Sequence, residues 1–215
     1  SMWAGLTASI FTAGAVSFLL SLITKTLNGD TLAIVLLGFN LAIYSLALNW
    51  TDLTRGSLGI PGIPRPEILG SNGAYLGFCL IVLAFVLLIV YKIVHSPFGR
   101  VLGAVRDDEL HASVLGKPAF RVKIAIFTIS GAIGGLSGGL LAHYIRFIDP
   151  NSFFLHQLVL VLSIVFAGGL ATISGTLLGA AVMILLPELI RFIPGVPTEV
   201  LGAVRGIAFS AALLF

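Results

Sequence analysis

The chain has 215 residues, of which 58% are hydrophobic and only 10% are charged, and its mean hydropathy is +1.10. Soluble domains are nearly half apolar and about a quarter charged, so a soluble domain of this length could not bury this much apolar surface. The formal net charge is +3, and in a chain of this composition basic residues report membrane orientation rather than nucleic-acid binding. The composition therefore predicts an integral membrane protein that lies in a lipid bilayer and binds no nucleic acid.

Long uncharged runs separate the charged residues. A helix needs about 20 residues to cross a hydrocarbon core ~30 Å thick. Runs of that length occupy residues 1–24, 31–51, 68–91, 124–145 and 150–187, and the last run is long enough for two spans. We therefore predict an all-α, polytopic transmembrane bundle of about seven spans, forming one domain over residues 1–215. The helices are expected at 3–23, 31–50, 72–93, 122–145, 156–171, 176–192 and 200–215.

One connector, residues 92–123, holds six of the twelve Lys and Arg residues: Lys92, Arg100, Arg106, Lys117, Arg121 and Lys123. It also carries Asp107, Asp108 and Glu109. Each charge would cost about 2.5 to 3.5 kcal/mol at the centre of a membrane helix, so this segment must stay in water or against another protein. The positive-inside rule predicts that it is cytoplasmic, which puts the connector at 50–71 and the turn at 146–154 outside.

The sequence of this connector predicts two short helices. Ser96 and Pro97 are suited to start the first, which should end near Arg106. Asp107 is the expected cap of the second helix, over residues 108–115, and Gly116 is its expected stop. Apolar residues recur at helical spacing along one flank of the second helix. The pair is either a docking element for a cytoplasmic motor or a solvated loop at the lipid headgroups, and the pattern alone leaves both open.

Closely spaced glycines mark the predicted helix at 122–145. Gly131, Gly135 and Gly139 form GxxxG spacings, which let two membrane helices approach closely where lipid offers no hydrophobic drive. Contact between helices of the same subunit is the favoured interpretation, with an inter-subunit contact as the alternative. We predict a helix-packing role for these three residues.

A few polar or small residues inside the predicted spans are candidates for a substrate pathway. Asn40 and Arg205 are polar residues in otherwise apolar runs, and polar residues inside a membrane are commonly functional. Gly168 and Gly169 lie beside the predicted break near residues 171–175, and broken membrane helices often line a substrate path. A simple turn between two spans is the alternative explanation for these glycines.

The sequence shows none of the motifs of soluble enzymes. It has no GxxxxGK[ST] phosphate loop, no HExxH and no GxSxG elbow, and the single cysteine, Cys79, excludes a disulfide framework. We therefore expect no catalytic residues, no bound cofactor and no metal site. If the protein uses ATP, another subunit must bind it.

Several segments together resemble one known family. Residues 96–116, SPFGRVLGAVRDDELHASVLG, are similar to the cytoplasmic loop of the permeases of branched-chain amino-acid ABC importers, which typically has the sequence SPFGRALRAIREDEIAAEALG. Similar segments follow the same order elsewhere: GDTLAIVLLGF at 29–39, GSLGIPGIPRP at 56–66, AHYIRFIDPNSF at 142–153, GGLATISGTLLGAA at 168–181 and LPELIR at 186–191. The resemblance covers most of the chain after about residue 25.

The resemblance implies a permease subunit in the inner membrane of a bacterium or an archaeon. Its partners would be a second permease subunit, two cytoplasmic ATP-binding subunits and a periplasmic substrate-binding protein. The spacing of Ala112 and Gly116 resembles the EAA-x3-G loop that seats a permease helix in the ATPase, although His111 replaces the first alanine of the motif pair. The implied coupling residues are Arg100, Arg106, Asp107, Asp108, Glu109, Ala112 and Gly116.

The expected cargo is a branched-chain amino acid, with urea or a short amide as the alternative. Family members usually have further helices before the position of residue 1 and a short tail after that of residue 215, so we expect the sequence to be a piece of a longer permease. An ion-coupled secondary transporter would need acidic residues inside the spans, which are scarce. An intramembrane enzyme would need a nucleophile and base, or metal ligands, at one depth, and the four histidines show no such pattern.

Overall fold

The structure is a computed structural model that describes residues 1–24, 27, 29–169 and 172–191. The helix predicted at 200–215, together with the pathway candidate Arg205, lies outside the described residues. The described residues fall into two compact units, one ending at Asp149 and one beginning at Pro150.

The described helices follow the order that the uncharged runs predict. They are α1 (Met2–Ile23), α2 (Gly29–Asn49), α3 (Thr51–Thr54), α4 (Asn72–Val94), α5 (Pro97–Asp107), α6 (Glu109–Val114), α7 (Ala119–Ile145), α8 (Leu155–Gly168) and α9 (Ile173–Arg191).

Five helical segments in the described part of the chain are long and apolar enough to cross a membrane: Met2–Ile23, Thr31–Asn49, Asn72–Val94, Ala119–Ile145 and Pro150–Gly168. A shorter apolar helical stretch covers Ile173–Leu185. The protein is therefore a multi-pass helical membrane protein, as predicted. The count of about seven spans stays a prediction.

Helices α1 and α7 form the main helix pair of the first unit, and small residues allow their close approach. A Cβ atom built on Gly135 would lie 2.6 Å from the Ala13 side chain and closer still to the Ser9 carbonyl oxygen. One built on Gly139 would lie 2.6 Å from Ser9 Oγ, and one on Gly131 would meet the Ser17 side chain. These glycines therefore face α1 within the same chain.

The other two glycines of the stretch, Gly134 and Gly138, have no atom within 4 Å of a built Cβ. The close packing of glycines is thus restricted to one face of α7.

A small apolar cluster connects α1 and α7 to α4. Met2, Leu6 and Tyr75 are buried together, and Leu136 and Leu140 pack against them. The Tyr75 hydroxyl donates a hydrogen bond of 2.6 Å to the Leu140 carbonyl, which ties α4 to α7.

A two-stranded antiparallel sheet joins the two connectors that are predicted to lie outside. Strand β1 (Ile60–Pro61) pairs with β2 (Phe147–Ile148), with Ile60 opposite Ile148. Gly59 precedes β1 with φ of 68°, and a Cβ at this position would lie 2.5 Å from the Ile148 carbonyl oxygen. Glycine is therefore required here both by the backbone angle and by the close approach of the other strand. The sequence pattern does not predict this sheet.

The second unit contains the packed helices α8 and α9. A Cβ on Gly179 would lie 2.7 Å from the Ile164 carbonyl oxygen, and one on Gly168 would lie 2.8 Å from Thr176 Cα. The two helices are therefore in backbone contact, which residues larger than glycine would prevent. Gly169, which follows α8, has φ of 86° and ends the helix.

Candidate functional site

Helix α5 begins where Ser96 and Pro97 predicted it. The Ser96 side chain accepts a hydrogen bond of 3.2 Å from the Gly99 backbone N–H, and Pro97 occupies the first helical turn, where its missing N–H costs nothing. The helix ends at Asp107, one residue beyond the predicted end. Val105 is buried, whereas Arg100 and Arg106 are exposed. Helix α5 is therefore amphipathic, with an inner apolar side and an outer basic side.

The cap of α6 is Asp108, and the prediction that Asp107 caps this helix is wrong. Asp108 has an extended backbone, with φ of −157° and ψ of 107°, and its side chain accepts a hydrogen bond of 2.9 Å from the His111 backbone N–H. Asp107 is still part of α5, so its backbone cannot adopt the extended form that an N-cap requires. Its carboxylate instead pairs with Arg106 at 2.8 Å.

The capping carboxylate is held in its ionised form. The His111 backbone N–H, and secondly the His111 side chain at 2.5 Å, lower the pKa of Asp108 below its usual value. A depressed carboxyl pKa means that the cap contributes stability at neutral pH and loses it as the pH falls through that lowered pKa. The cap is thus intact over the whole physiological range.

Ala112 does not lie on the outer flank of α6. Its side chain is only 2% exposed and packs in a small cluster with Val105 and Ala119, with Val101 against it. The helix ends at Val114, two residues before the predicted stop at Gly116, which has φ of 74°. The Lys117 backbone N–H donates a hydrogen bond of 3.0 Å to the Ala112 carbonyl and closes this end of the helix. Ala112 therefore holds α6 against α5 and α7 within the chain.

Large apolar side chains are exposed on α6 and at its C-terminal end, beside the exposed His111 and Ser113. Leu110, Val114 and Leu115 are 73%, 80% and 77% exposed, respectively, and they lie within a connector that is otherwise rich in charge. Large apolar side chains exposed close together on a short segment commonly mark a protein contact. The structure thus separates the predicted apolar flank into a buried alanine and an exposed patch, which we call the α6 patch and define by Leu110, Val114 and Leu115.

An ion pair joins α6 to the start of α7. Lys123 Nζ donates a hydrogen bond to Glu109 Oε2, and the two side chains are 26% and 43% exposed. Lys123 is followed by the uncharged run of residues 124–145, so it is the last charge before the span. This contact was not predicted, because the residues are fourteen positions apart and belong to different helices.

The pathway candidates are not brought into a defined site. Asn40 lies in α2, where none of the described side chains is buried, and its Oδ1 atom has no hydrogen-bond partner among the described residues. Gly168 and Gly169 belong to the second unit, where Gly168 serves the contact between α8 and α9. In the described part of the chain, no three His, Cys, Asp or Glu residues are grouped so that they could hold a metal ion.

A cavity of about 590 Å³ between α4 and α7 was not predicted. Its walls include Leu76 and Cys79 of α4 and Leu141 of α7. Beside it, the Arg65 guanidinium lies 4.2 Å from the centre of the Tyr75 ring. The position of Arg65 between two prolines just before a span is a signal that could have drawn attention to this end of α4.

The long apolar helices, interrupted by the helix pair between α4 and α7, define a multi-pass helical membrane protein. The family model described as the permease component of branched-chain amino acid transport systems matches residues 1–213. The chain therefore belongs to this family of ABC transporter permeases, which confirms the resemblance found in the sequence, and the family is one of transporters rather than enzymes.

Individual relatives agree with the family assignment. The chain is 32% identical to the high-affinity branched-chain amino acid transport system permease protein LivM of Escherichia coli (strain K12), over 88% of the chain and 51% of that protein. It is 33% identical to a probable branched-chain amino acid transport permease protein LivM of Methanocaldococcus jannaschii, over 66% of the chain and 41% of that protein. It is also 30% identical to the ribose import permease protein RbsC of Bacillus subtilis (strain 168), over 71% of the chain and 45% of that protein.

The chain spans about half the length of the permeases that it matches. No solved structure matches it.

Proposed function

We propose that the protein is the membrane-spanning permease subunit of an ATP-driven importer that moves branched-chain amino acids across the inner membrane of a bacterium or an archaeon. The family match and the two LivM relatives support this cargo. The similarity to the ribose import permease protein RbsC makes a sugar the second candidate, since that relative is 30% identical. Urea or a short amide remains the alternative that the sequence resemblance suggested.

The proposed assembly contains a second permease subunit, two cytoplasmic ATP-binding subunits and a periplasmic substrate-binding protein. ATP is bound and hydrolysed by the ATP-binding subunits, and the permease provides the path through the membrane. In this assembly the connector between α4 and α7 faces the cytoplasm, in agreement with its excess of basic residues.

The observation that carries this proposal is the α6 patch. Three large apolar side chains project from a charged connector, where neither a span nor the small cluster around Ala112 covers them. Burying a leucine or valine side chain is worth about 1.5 to 3 kcal/mol, so an apolar cleft on an ATPase would gain substantially by covering this patch. The charged residues Arg106 and Asp107, at the end of α5, would form the polar rim of such an interface.

Co-purification with the ATP-binding subunits tests the proposal. The tagged permease is expected to bring down two ATP-binding subunits. Leu110→Asp and Val114→Asp place a charge in the proposed interface and should abolish recruitment, whereas Lys117→Ala changes an exposed residue beside the helix and should have little effect. Normal recruitment by both aspartate variants would show that the α6 patch is not the docking site.

Uptake measurements decide the cargo. Proteoliposomes that contain the full permease pair, the ATP-binding subunits and the binding protein should accumulate radiolabelled leucine when ATP is supplied. Accumulation of ribose or urea in place of leucine would contradict the proposed cargo. Leucine uptake driven by an ion gradient in the absence of ATP would contradict the proposed mechanism.

A further inference from the structure

We propose that the Glu109–Lys123 ion pair is the positioning contact that fixes the rotation of α6 on α7, so that movement of the docked ATPase is passed to the membrane helices. This inference rests on the proposed function and adds a role for two residues, one of which, Lys123, is outside the set of residues expected to couple the subunits. The pair connects the short helix directly to a membrane span.

Helix α6 cannot hold its own orientation. It has six residues, and helices shorter than about 12 residues are marginal by themselves in water. Its position must therefore come from contacts with neighbouring elements. The Asp108 cap acts locally at the start of the helix, because its partner His111 belongs to α6 itself.

Two side chains of α6 that contact α5 or α7 lie on the same side of the helix. One is the buried Ala112 side chain and the other is Glu109. At about 100° per residue, Glu109 and Ala112 are about 60° apart around the helix axis. Leu110 and Val114 are about 40° apart, and their mean direction is roughly opposite to that of the first two residues.

The contacts made by Ala112 and by Glu109 constrain α6 in different ways. Ala112 has a single methyl group, which provides a close contact but little resistance to rotation about the helix axis. The ion pair lies away from that contact, one helical turn toward the start of α6, and its directional hydrogen bond resists such rotation. Without the pair, a load applied at Leu110 and Val114 would turn α6 about Ala112 instead of moving α7.

A displacement of α6 would be passed to a defined pair of membrane helices, α7 and α1. Lys123 belongs to α7, and α7 is packed against α1 through Gly131, Gly135 and Gly139, where backbone and side-chain atoms of α1 leave no space for a Cβ. A displacement at Lys123 is therefore transmitted to both helices as one body. The half-buried setting of the pair strengthens it relative to a fully exposed ion pair, because less water screens the charges.

Charge reversal and charge exchange test this role in the full permease with its ATP-binding subunits and binding protein. Glu109→Lys and Lys123→Glu alone should each lower ATP-driven leucine uptake by about ten-fold, while the double exchange should restore it to within about three-fold of the parent. Recruitment of the ATP-binding subunits should stay within about two-fold in all three, because the α6 patch is unchanged. Lys117→Glu is the matched control, since it makes the same charge change beside α6 but outside the pair.

A second variant covers the case in which a reversed charge prevents membrane insertion. Glu109→Gln removes the charge with little change of shape, so the protein should insert and recruit ATPases normally while uptake and leucine-stimulated ATP hydrolysis fall together. Parent-like uptake in Glu109→Gln and in both reversals would overturn the proposal. Uptake by the exchange variant that is no higher than uptake by the single reversals would also overturn the proposal. So would a loss of ATPase recruitment as large as the loss of uptake. If the parent permease itself recruits no ATPase, the proposed function fails first, and that result is separate from all of these.

Discussion

Gly135→Ala is expected to destabilise the pair formed by α1 and α7. The added methyl group would lie 2.6 Å from the Ala13 side chain and nearer still to the Ser9 carbonyl oxygen, whereas carbon atoms in contact are ordinarily about 3.5 to 4.0 Å apart. Because the Ser9 oxygen belongs to the backbone of α1, a side-chain rotation cannot relieve the clash. The two helices must separate by roughly 1 Å, and contacts are lost along their whole length.

The expected magnitude follows from two opposing effects. Overpacking a tight contact typically costs about 1 to 3 kcal/mol, and replacing glycine by alanine inside a helix returns about 0.5 to 1 kcal/mol. The net loss of stability for Gly135→Ala is therefore about 0 to 2.5 kcal/mol, with a central value of about 1 kcal/mol. Gly134→Ala and Gly138→Ala are matched controls on the same helix, because a Cβ at these positions meets nothing within 4 Å.

The assay is the unfolding of the purified permease in mixed micelles with increasing denaturing detergent, followed by circular dichroism or by the accessibility of Cys79. Gly135→Ala should unfold at a lower detergent fraction than the parent, and the two controls should unfold at the same fraction or a higher one. Equal stability of Gly135→Ala and Gly134→Ala would show that the glycine face does not pack against α1, and the description of the first unit would be wrong.

Two further predictions concern the connector between α4 and α7. Asp108→Ala should weaken ATPase recruitment because the α6 cap is lost, whereas Asp108→Asn should preserve recruitment because asparagine is an equally good N-cap. Co-purification measures recruitment by both variants. Equal recruitment by the two variants would contradict the capping role. In a background without the native cysteine, Lys117→Cys should be labelled by an impermeant maleimide from the cytoplasmic side only, and Leu58→Cys from the outer side only. Labelling of both from one side would contradict the predicted topology.

The sequence was sufficient for the long helices because membrane spans need long apolar runs, and charges interrupt these runs only at the helix ends. It was also sufficient for α5, where Ser96 and Pro97 form an unambiguous start. Capping was harder to assign for α6, since Asp107 and Asp108 are adjacent and both suit an N-cap by composition. The choice depends on which residue leaves the helical backbone conformation first, and this is set by where α5 ends.

Long-range contacts could not be predicted from the sequence, for a different reason. Strands β1 and β2 have two residues each, too few to show an alternating pattern, and their pairing joins segments more than eighty residues apart. The ion pair between Glu109 and Lys123 likewise needs the relative placement of α6 and α7. The inward direction of Ala112 could not be predicted either, because a six-residue helix has no periodicity long enough to define its buried face.

Exposed apolar side chains have different meanings in different parts of this protein. Ile81 in α4 is 71% exposed, and a lipid-facing position in a span explains that exposure fully. The same explanation fails for Val114, which is 80% exposed, because α6 lies between the charged residues Asp108 and Lys117 and is too short to enter the hydrocarbon core. Surface of this kind is stable in water only at a cost, and a protein partner removes it. We therefore expect a partner to cover the α6 patch on the connector side of the membrane, as the proposed function implies, whereas the apolar faces of the spans need only lipid or neighbouring helices.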